Sequence, residues 1–207
     1  MLDALDRIAW HAREGAELRQ RFFAEKAGLV DEAARATAIA LARGGKVLLC
    51  GNGGSAADAQ HLAGEFVNRF LIERPPLAAV ALSTDTSVLT AIGNDFSFHD
   101  VFEKQVRALG RPGDVLLGIS TSGNSSNVVQ ALVRAREMGM FTIGMTGEGG
   151  GEMSTLCDVL LSVPHKHTPL VQEVHGAAGH LWCELVDYYL FENVQAIQSE
   201  LEAPAAE

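Results

Sequence analysis

The chain has 207 residues, 47% of them hydrophobic and 20% charged, with a formal net charge of −10; this length suits one domain with a full core, or at most two small ones. The acidic balance speaks against a nucleic-acid binder, which needs a basic face, and no run reaches the ~18 apolar residues of a membrane span. The first residues include Asp3 and Asp6 and no long apolar run, so no signal peptide is expected.

Leu2, Leu5, Ile8, Ala9 and Ala12 recur at helical spacing, and Leu18, Phe22 and Phe23 extend the stripe. A second, Ala-rich helix is expected over 29–43, closed by Gly44-Gly45. From Lys46 the period changes. Short apolar runs at 46–50, 77–82, 114–119, 141–145 and 159–163 read as strands. They are apolar throughout rather than alternating, which suits strands covered on both faces. Helical patterns at 56–70, 100–109 and 126–138 lie between most of them. A last long helix is expected to start with Thr168 as N-cap and Pro169 as first helical residue. Leu170, Val174, Ala177, Ala178, Leu181, Leu185 and Tyr189 mark its packed face. The fold class is therefore α/β: one doubly wound domain over 1–195, with N-terminal helices over 1–44 preceding a five-stranded parallel sheet flanked by helices over 46–193. Residues 196–207 are expected to be a C-terminal tail. Cys50, Cys157 and Cys183 are odd in number and widely spaced, which fits thiols in a reducing cytoplasm rather than disulfides.

Two strand ends carry similar chemistry. The first strand runs into Asn52-Gly53-Gly54-Ser55 and then a helix. The third runs into Ser120-Thr121-Ser122-Gly123-Asn124-Ser125-Ser126 and then a helix. Glycines and small hydroxyl residues let backbone N–H groups approach an anion, and each helix N-terminus adds partial positive charge. Neither loop is a Walker A or GxGxxG sequence. Ser/Gly loops also cap helices without binding anything, but two in one fold, both after strands at the ligand-binding edge of a parallel sheet, favour a phosphate monoester.

His61 and Glu65 are four residues apart, one turn along one helix face. Gln172 and His180 are eight apart, two turns with an angular offset of ~80°. Two imidazoles, a carboxylate and an amide oxygen suit a four-coordinate Zn²⁺ site without excluding other divalent metals. Each residue has a plainer reading: a surface His–Glu pair, a first-turn glutamine, a core histidine. His175 reads as structural or as support for a ligand, and His11, His99, His165 and His167 as structural or solvated.

These residues resemble a known family. Ile119-Ser120-Thr121-Ser122-Gly123-Asn124-Ser125 is similar to the phosphosugar-binding signature of sugar isomerase (SIS) domains. Gly51-Asn52-Gly53-Gly54-Ser55, His61, Glu65, Gly93-Asn94-Asp95, Gln172-Glu173 and His180 together resemble the phosphoheptose isomerases, over nearly the whole chain. The resemblance implies a cytoplasmic homotetramer with active sites between subunits. Its activity is conversion of sedoheptulose 7-phosphate to glycero-manno-heptose 7-phosphate, the first step towards the activated heptose of the lipopolysaccharide core. It implies that Ser120, Thr121, Ser122 and Ser125 hold the phosphate, and that Asn52, Gly53, Gly54, Ser55, Asn94, Asp95 and Gln172 join Glu65 in lining the sugar site. It also implies that His61, Glu65, Gln172 and His180 bind zinc. One departure is Leu170, where many relatives have a basic residue.

Aldose–ketose isomerisation needs a base beside C1 and C2, a group that shuttles the hydroxyl proton, and an electrophile for the oxyanion. Glu65 is the expected base and His180 its acid/base partner, in roles that can be exchanged. A carboxylate tightly bound to zinc is a poorer base, so either Glu65 changes coordination during turnover or the metal is partly structural or regulatory. Three rivals share the fold. A tetrameric SIS regulator that binds a bacterial replication initiator has Asn52-Gly53, Ser55, His61 and Asn94-Asp95 in common, but lacks the carboxylate and imidazole matching Glu65 and His180. Transcriptional sugar-phosphate sensors append a DNA-binding domain for which this chain has neither length nor charge. The third is an isomerase of another phosphosugar.

Overall fold

A computed structural model describes residues 3–202; Leu2 and residues 203–207 lie outside the described residues. The chain opens with a single helix, α1 (Ala4–Ala42), capped by a reciprocal box between Asp3 and Asp6. Two helices were expected here. The segment between them, Ala24-Glu25-Lys26-Ala27-Gly28, contains strong helix formers and one glycine, which weakens a helix without ending it. At 39 residues, α1 is about 58 Å long and overhangs the sheet. Its buried residues begin at Leu18, while Leu5 and Ile8 of the expected stripe are exposed.

Five strands follow: β1 (Val47–Gly51), β2 (Ala79–Ala81), β3 (Val115–Ser120), β4 (Phe141–Thr146) and β5 (Val159–Ser162). All neighbours are parallel, in the order β2-β1-β3-β4-β5. The inner strands β1 and β3 are buried throughout, as their unbroken apolar runs require. The edge strands are not: Val80 on β2 is 41% exposed.

The helices divide between the faces. On one, α1, α2 (Gly54–Val67) and α6 (Thr168–Asp187) pack on Val47, Leu49, Val115, Leu117 and Ile119. On the other, α4 (Glu103–Leu109) and α5 (Ser126–Glu137) pack on Leu48, Cys50 and Leu116. The side chains alternate between these two cores with the period of two that a strand imposes. A helix absent from the sequence reading, α3 (Thr86–Asp95), has no fully buried residue; Leu89 and Ile92 pack, half-buried, against the core of the α4–α5 face.

Helix α6 starts one residue earlier than expected. His167 is its N-cap, Thr168 its first residue, and Pro169 lies within the first turn, where a missing N–H costs nothing. The segment expected to be a tail continues as helical turns through α7 (Gln198–Glu202), with Ile197 fully buried against the α1 side.

The sheet order reverses direction between β1 and β3. The connections leaving those two strands part to opposite faces, opening a crevice at their carboxyl ends, where α/β sheets bind ligands. Both loops singled out in the sequence leave from this point.

Candidate active site

The first loop turns at Gly53, whose φ of 57° suits glycine and which is the N-cap of α2. Glycine brings no side chain to the cap; its carbonyl accepts from Ala56 N and Ala57 N, and Asn52 O accepts from Ser55 N. Ser55 is buried at 4% exposure. Asn52 reaches across the crevice. Its Nδ2 donates to Asn127 Oδ1 at 2.8 Å, and Asn127 Nδ2 donates back to Asn52 Oδ1 at 2.9 Å. Asn127 lies in the first turn of α5, so this amide pair fixes the glycine turn against the serine loop.

The serine loop is organised around Ser120. Its hydroxyl meets Ser125 Oγ at 2.8 Å and Ser122 Oγ at 3.3 Å, and accepts from Ser125 N at 3.4 Å. Ser125 is the N-cap of α5, yet its side chain makes no capping bond to the helix. The hydroxyls therefore face one another; Val128 N–H is taken by Ser125 O and Asn127 Oδ1, which leaves the Ser126 and Asn127 N–H groups at the start of α5 for an anion. Gly123, with φ of 68°, lets the loop press on its neighbour: a Cβ here would overlap the Gly150 carbonyl. Thr121 O accepts from Gly147 N at 3.0 Å, bracing the loop from the end of β4.

Beside this cradle, the structure gathers His61 and Glu65 of α2 with His180 of α6. One donor atom from each lies within 4.8 Å of the others. His61 Nε2 is 2.8 Å from His180 Nε2 and 3.4 Å from Glu65 Oε1. Two imidazole nitrogens this close meet either through one N–H donating to the other's lone pair or through a metal ion that both coordinate. The donor set, two imidazoles and a carboxylate, fits zinc. Phe70, in the loop after α2, stacks on the His180 ring at 5.5 Å and 30°. Burial raises the Asp58 carboxyl above its usual range, partly offset by His61.

Gln172, on the first turn of α6, meets α2 at its N-terminal end. Its Nε2 would lie 2.6 Å from a Cβ on Gly54, so the glycine leaves the amide room in its present position. Asn94 and Asp95 are exposed on the last turn of α3, where Asn94 Nδ2 donates to Asp95 Oδ1 at 2.8 Å. The segment after them is tied to the cradle by His99, whose Nδ1 hydrogen-bonds the Ser126 hydroxyl. The sequence reading took His99 as structural or solvated and passed over Asn127. Neither has a spacing signal, and only the crossing of chain segments brings them to the loop.

His175 is structural, as expected. Its Nε2 donates to Thr146 O at 3.0 Å, so this nitrogen carries the proton, and Nδ1 is buried without a partner. Burial pushes its pKa down to about 4. Burial also pushes the Cys50 and Cys157 thiols up to about 12, and that of Cys183 higher still; Cys50 and Cys183 are fully buried and Cys157 half-buried. Among the described residues, no helix is long and apolar enough to cross a membrane.

Comparison with known proteins gives a consistent picture. The family model described as SIS domain matches residues 11–147. Phosphoheptose isomerase of Nitratidesulfovibrio vulgaris (strain Miyazaki F) is 64% identical over 197 residues, 95% of each chain. That of Desulfovibrio desulfuricans is 64% identical over 200 residues, 97% of this chain and 95% of its own. Among solved structures, a phosphoheptose isomerase from Neisseria gonorrhoeae superposes with a TM-score of 0.85 at 48% identity, covering 89% of this chain and 99% of that one. One from Francisella tularensis gives 0.87 at 37% identity, covering 90% and 99%.

Proposed function

The chain belongs to the SIS-domain family and, within it, to the phosphoheptose isomerases, and on that premise we propose that it converts D-sedoheptulose 7-phosphate to D-glycero-D-manno-heptose 7-phosphate through an enediol. The observation that carries the proposal is the convergence of Glu65 and His180, from different helices, in one group of donor atoms within 4.8 Å.

Ser120, Thr121, Ser122 and Ser125 take the phosphate, with the Ser126 and Asn127 N–H groups at the start of α5 beneath it. Asn52, Gly53, Gly54, Ser55, Gln172, Asn94 and Asp95 line the sugar, and Asp95 orients a hydroxyl. With the phosphate fixed at one end, the carbonyl end of the sugar lies towards α2 and α6. Glu65 removes the carbon-bound proton and returns it to the neighbouring carbon. His180 moves the hydroxyl proton between the two oxygens. These two roles can be exchanged between the residues.

His61, Glu65, Gln172 and His180 are the residues that hold a divalent ion, zinc by the chemistry of the donor set. Such an ion supplies Lewis-acid polarisation of the carbonyl and stabilises developing negative charge. The chain acts in the cytoplasm as a homotetramer at the start of heptose supply for lipopolysaccharide. The overhanging start of α1, with Leu5 76% and Ile8 66% exposed, supports burial between subunits.

The direct test is turnover of sedoheptulose 7-phosphate by the purified chain, chelated and then resupplied with Zn²⁺. Isomerisation that rises with Zn²⁺ supports the reading; no isomerisation under any metal condition rejects it.

A further inference from the structure

Helices α2 and α6 are also tied together through Arg74, at the end of α2 and two turns beyond His180 on α6. This side chain comes from the loop after α2 and is 2% exposed. Its Nε donates to Asp187 Oδ1 at 2.9 Å. Its Nη2 donates to the Glu65 carbonyl at 2.8 Å and its Nη1 to the Phe66 carbonyl at 2.7 Å. Nη1 also reaches the Pro75 and Asn68 carbonyls at 3.2 and 3.4 Å.

The last carbonyls of a helix have no partner within it. Here a single guanidinium takes two of them, one belonging to Glu65 itself. The loop it closes carries Phe70, the ring stacked on His180. Asp187, the carboxylate that holds the guanidinium, is seven residues beyond His180 on α6, nearly on the same helix face. It is 4% exposed. A buried ion pair is a poor source of stability, because desolvation offsets most of its Coulomb gain. What an arginine fork supplies is fixed geometry.

We infer that Arg74, anchored by Asp187, is a positioning residue for the isomerisation, locking the last turn of α2 to α6 so that Glu65 and His180 keep their separation. This rests on the reading above, in which those two groups share the chemistry and the metal.

Two variants test it. Arg74→Lys keeps the charge and loses the fork, and Asp187→Asn keeps an acceptor and loses the charge. The expected result is a kcat lower by about 10- to 100-fold, the usual consequence of small misplacement, with KM little changed. Zinc affinity, read by chelator competition without substrate, weakens by about 10- to 100-fold. Inhibition by inorganic phosphate stays as in the unaltered protein. Asp114→Asn serves as the control. It breaks another buried ion pair, Lys46–Asp114, beside the amino ends of β1 and β3, and is expected to lower Tm without touching kcat or zinc affinity. The proposal is overturned if Arg74→Lys and Asp187→Asn lower Tm as Asp114→Asn does while kcat and zinc affinity hold. If Asp187→Asn does not fold, Arg74→Lys decides by the same readouts. If the unaltered chain fails to isomerise sedoheptulose 7-phosphate, the functional reading falls, and zinc competition still decides the positioning role.

Discussion

His61 and His180, 119 residues apart in sequence, bring their Nε2 atoms to 2.8 Å. One nitrogen is fixed by α2 and the other by α6, and each helix starts at the carboxyl edge of the sheet. The separation is therefore a property of how two helices dock, not of either helix alone. The Phe66 ring packs edge-on against Trp182 at 4.8 Å just beneath, inside the core. On the proposed function, the chemistry depends on that docking.

Gly54→Ala is expected to displace Gln172 without altering it. The new Cβ would fall 2.6 Å from Gln172 Nε2, the far end of a flexible side chain. Alanine in a helix is favoured over glycine by roughly 0.5–1 kcal/mol, so Tm should hold or rise. Zinc affinity by chelator competition should fall. Unchanged zinc affinity and unchanged turnover would show that the Gln172 amide is no part of the site.

Ser120→Ala should damage phosphate binding selectively. The hydroxyl is the hub to which Ser122 and Ser125 are tied. A hydrogen bond to a charged group is worth about 1.5–3 kcal/mol, so KM and the inhibition constant for inorganic phosphate should each rise about tenfold or more. The isomerisation step lies elsewhere, and kcat should move little. A fall in kcat at constant KM would place Ser120 in the chemistry instead.

Much of this was legible in the sequence because it is local. The i, i+4 spacing puts His61 and Glu65 on one face whatever the tertiary fold. The glycine turn and serine loop announce themselves by composition, and the inner strands by unbroken apolar runs. What escaped is what depends on distant pairing. Arg74 and Asp187 are 113 residues apart and each reads as an ordinary surface charge. Asn127 reads as a polar helix residue until Asn52 is seen opposite it. Helix α3 is short and its apolar stripe, Leu89 and Ile92, is only half-buried, so its periodic signal is brief. The single long α1 was mistaken for two helices because its apolar stripe lapses between Phe23 and Leu29, although Phe22 and Val30 on either side bury into one core.

His175 should make stability depend on pH. Its folded pKa is lowered to about 4, against an ordinary value near 6.5. Above pH 6.5 the ring is neutral in both states and the full stability is present. As pH falls from about 6.5 towards 4, the unfolded chain gains a proton that the folded chain resists, and stability on the order of 3 kcal/mol is lost. His175→Gln keeps a donor for Thr146 O but does not titrate. Its Tm should fall less steeply between pH 7 and pH 4.5. Parallel Tm curves for the two proteins would remove His175 as the cause.

The most direct measurement of the central claim is kcat on sedoheptulose 7-phosphate for Glu65→Gln and His180→Gln, with metal content determined on the same samples. General acid–base catalysis contributes about 10²–10⁴-fold, so each variant should lose at least about 100-fold in kcat. Near-normal kcat in both variants, at unchanged metal content, would contradict the assignment of the isomerisation to this pair.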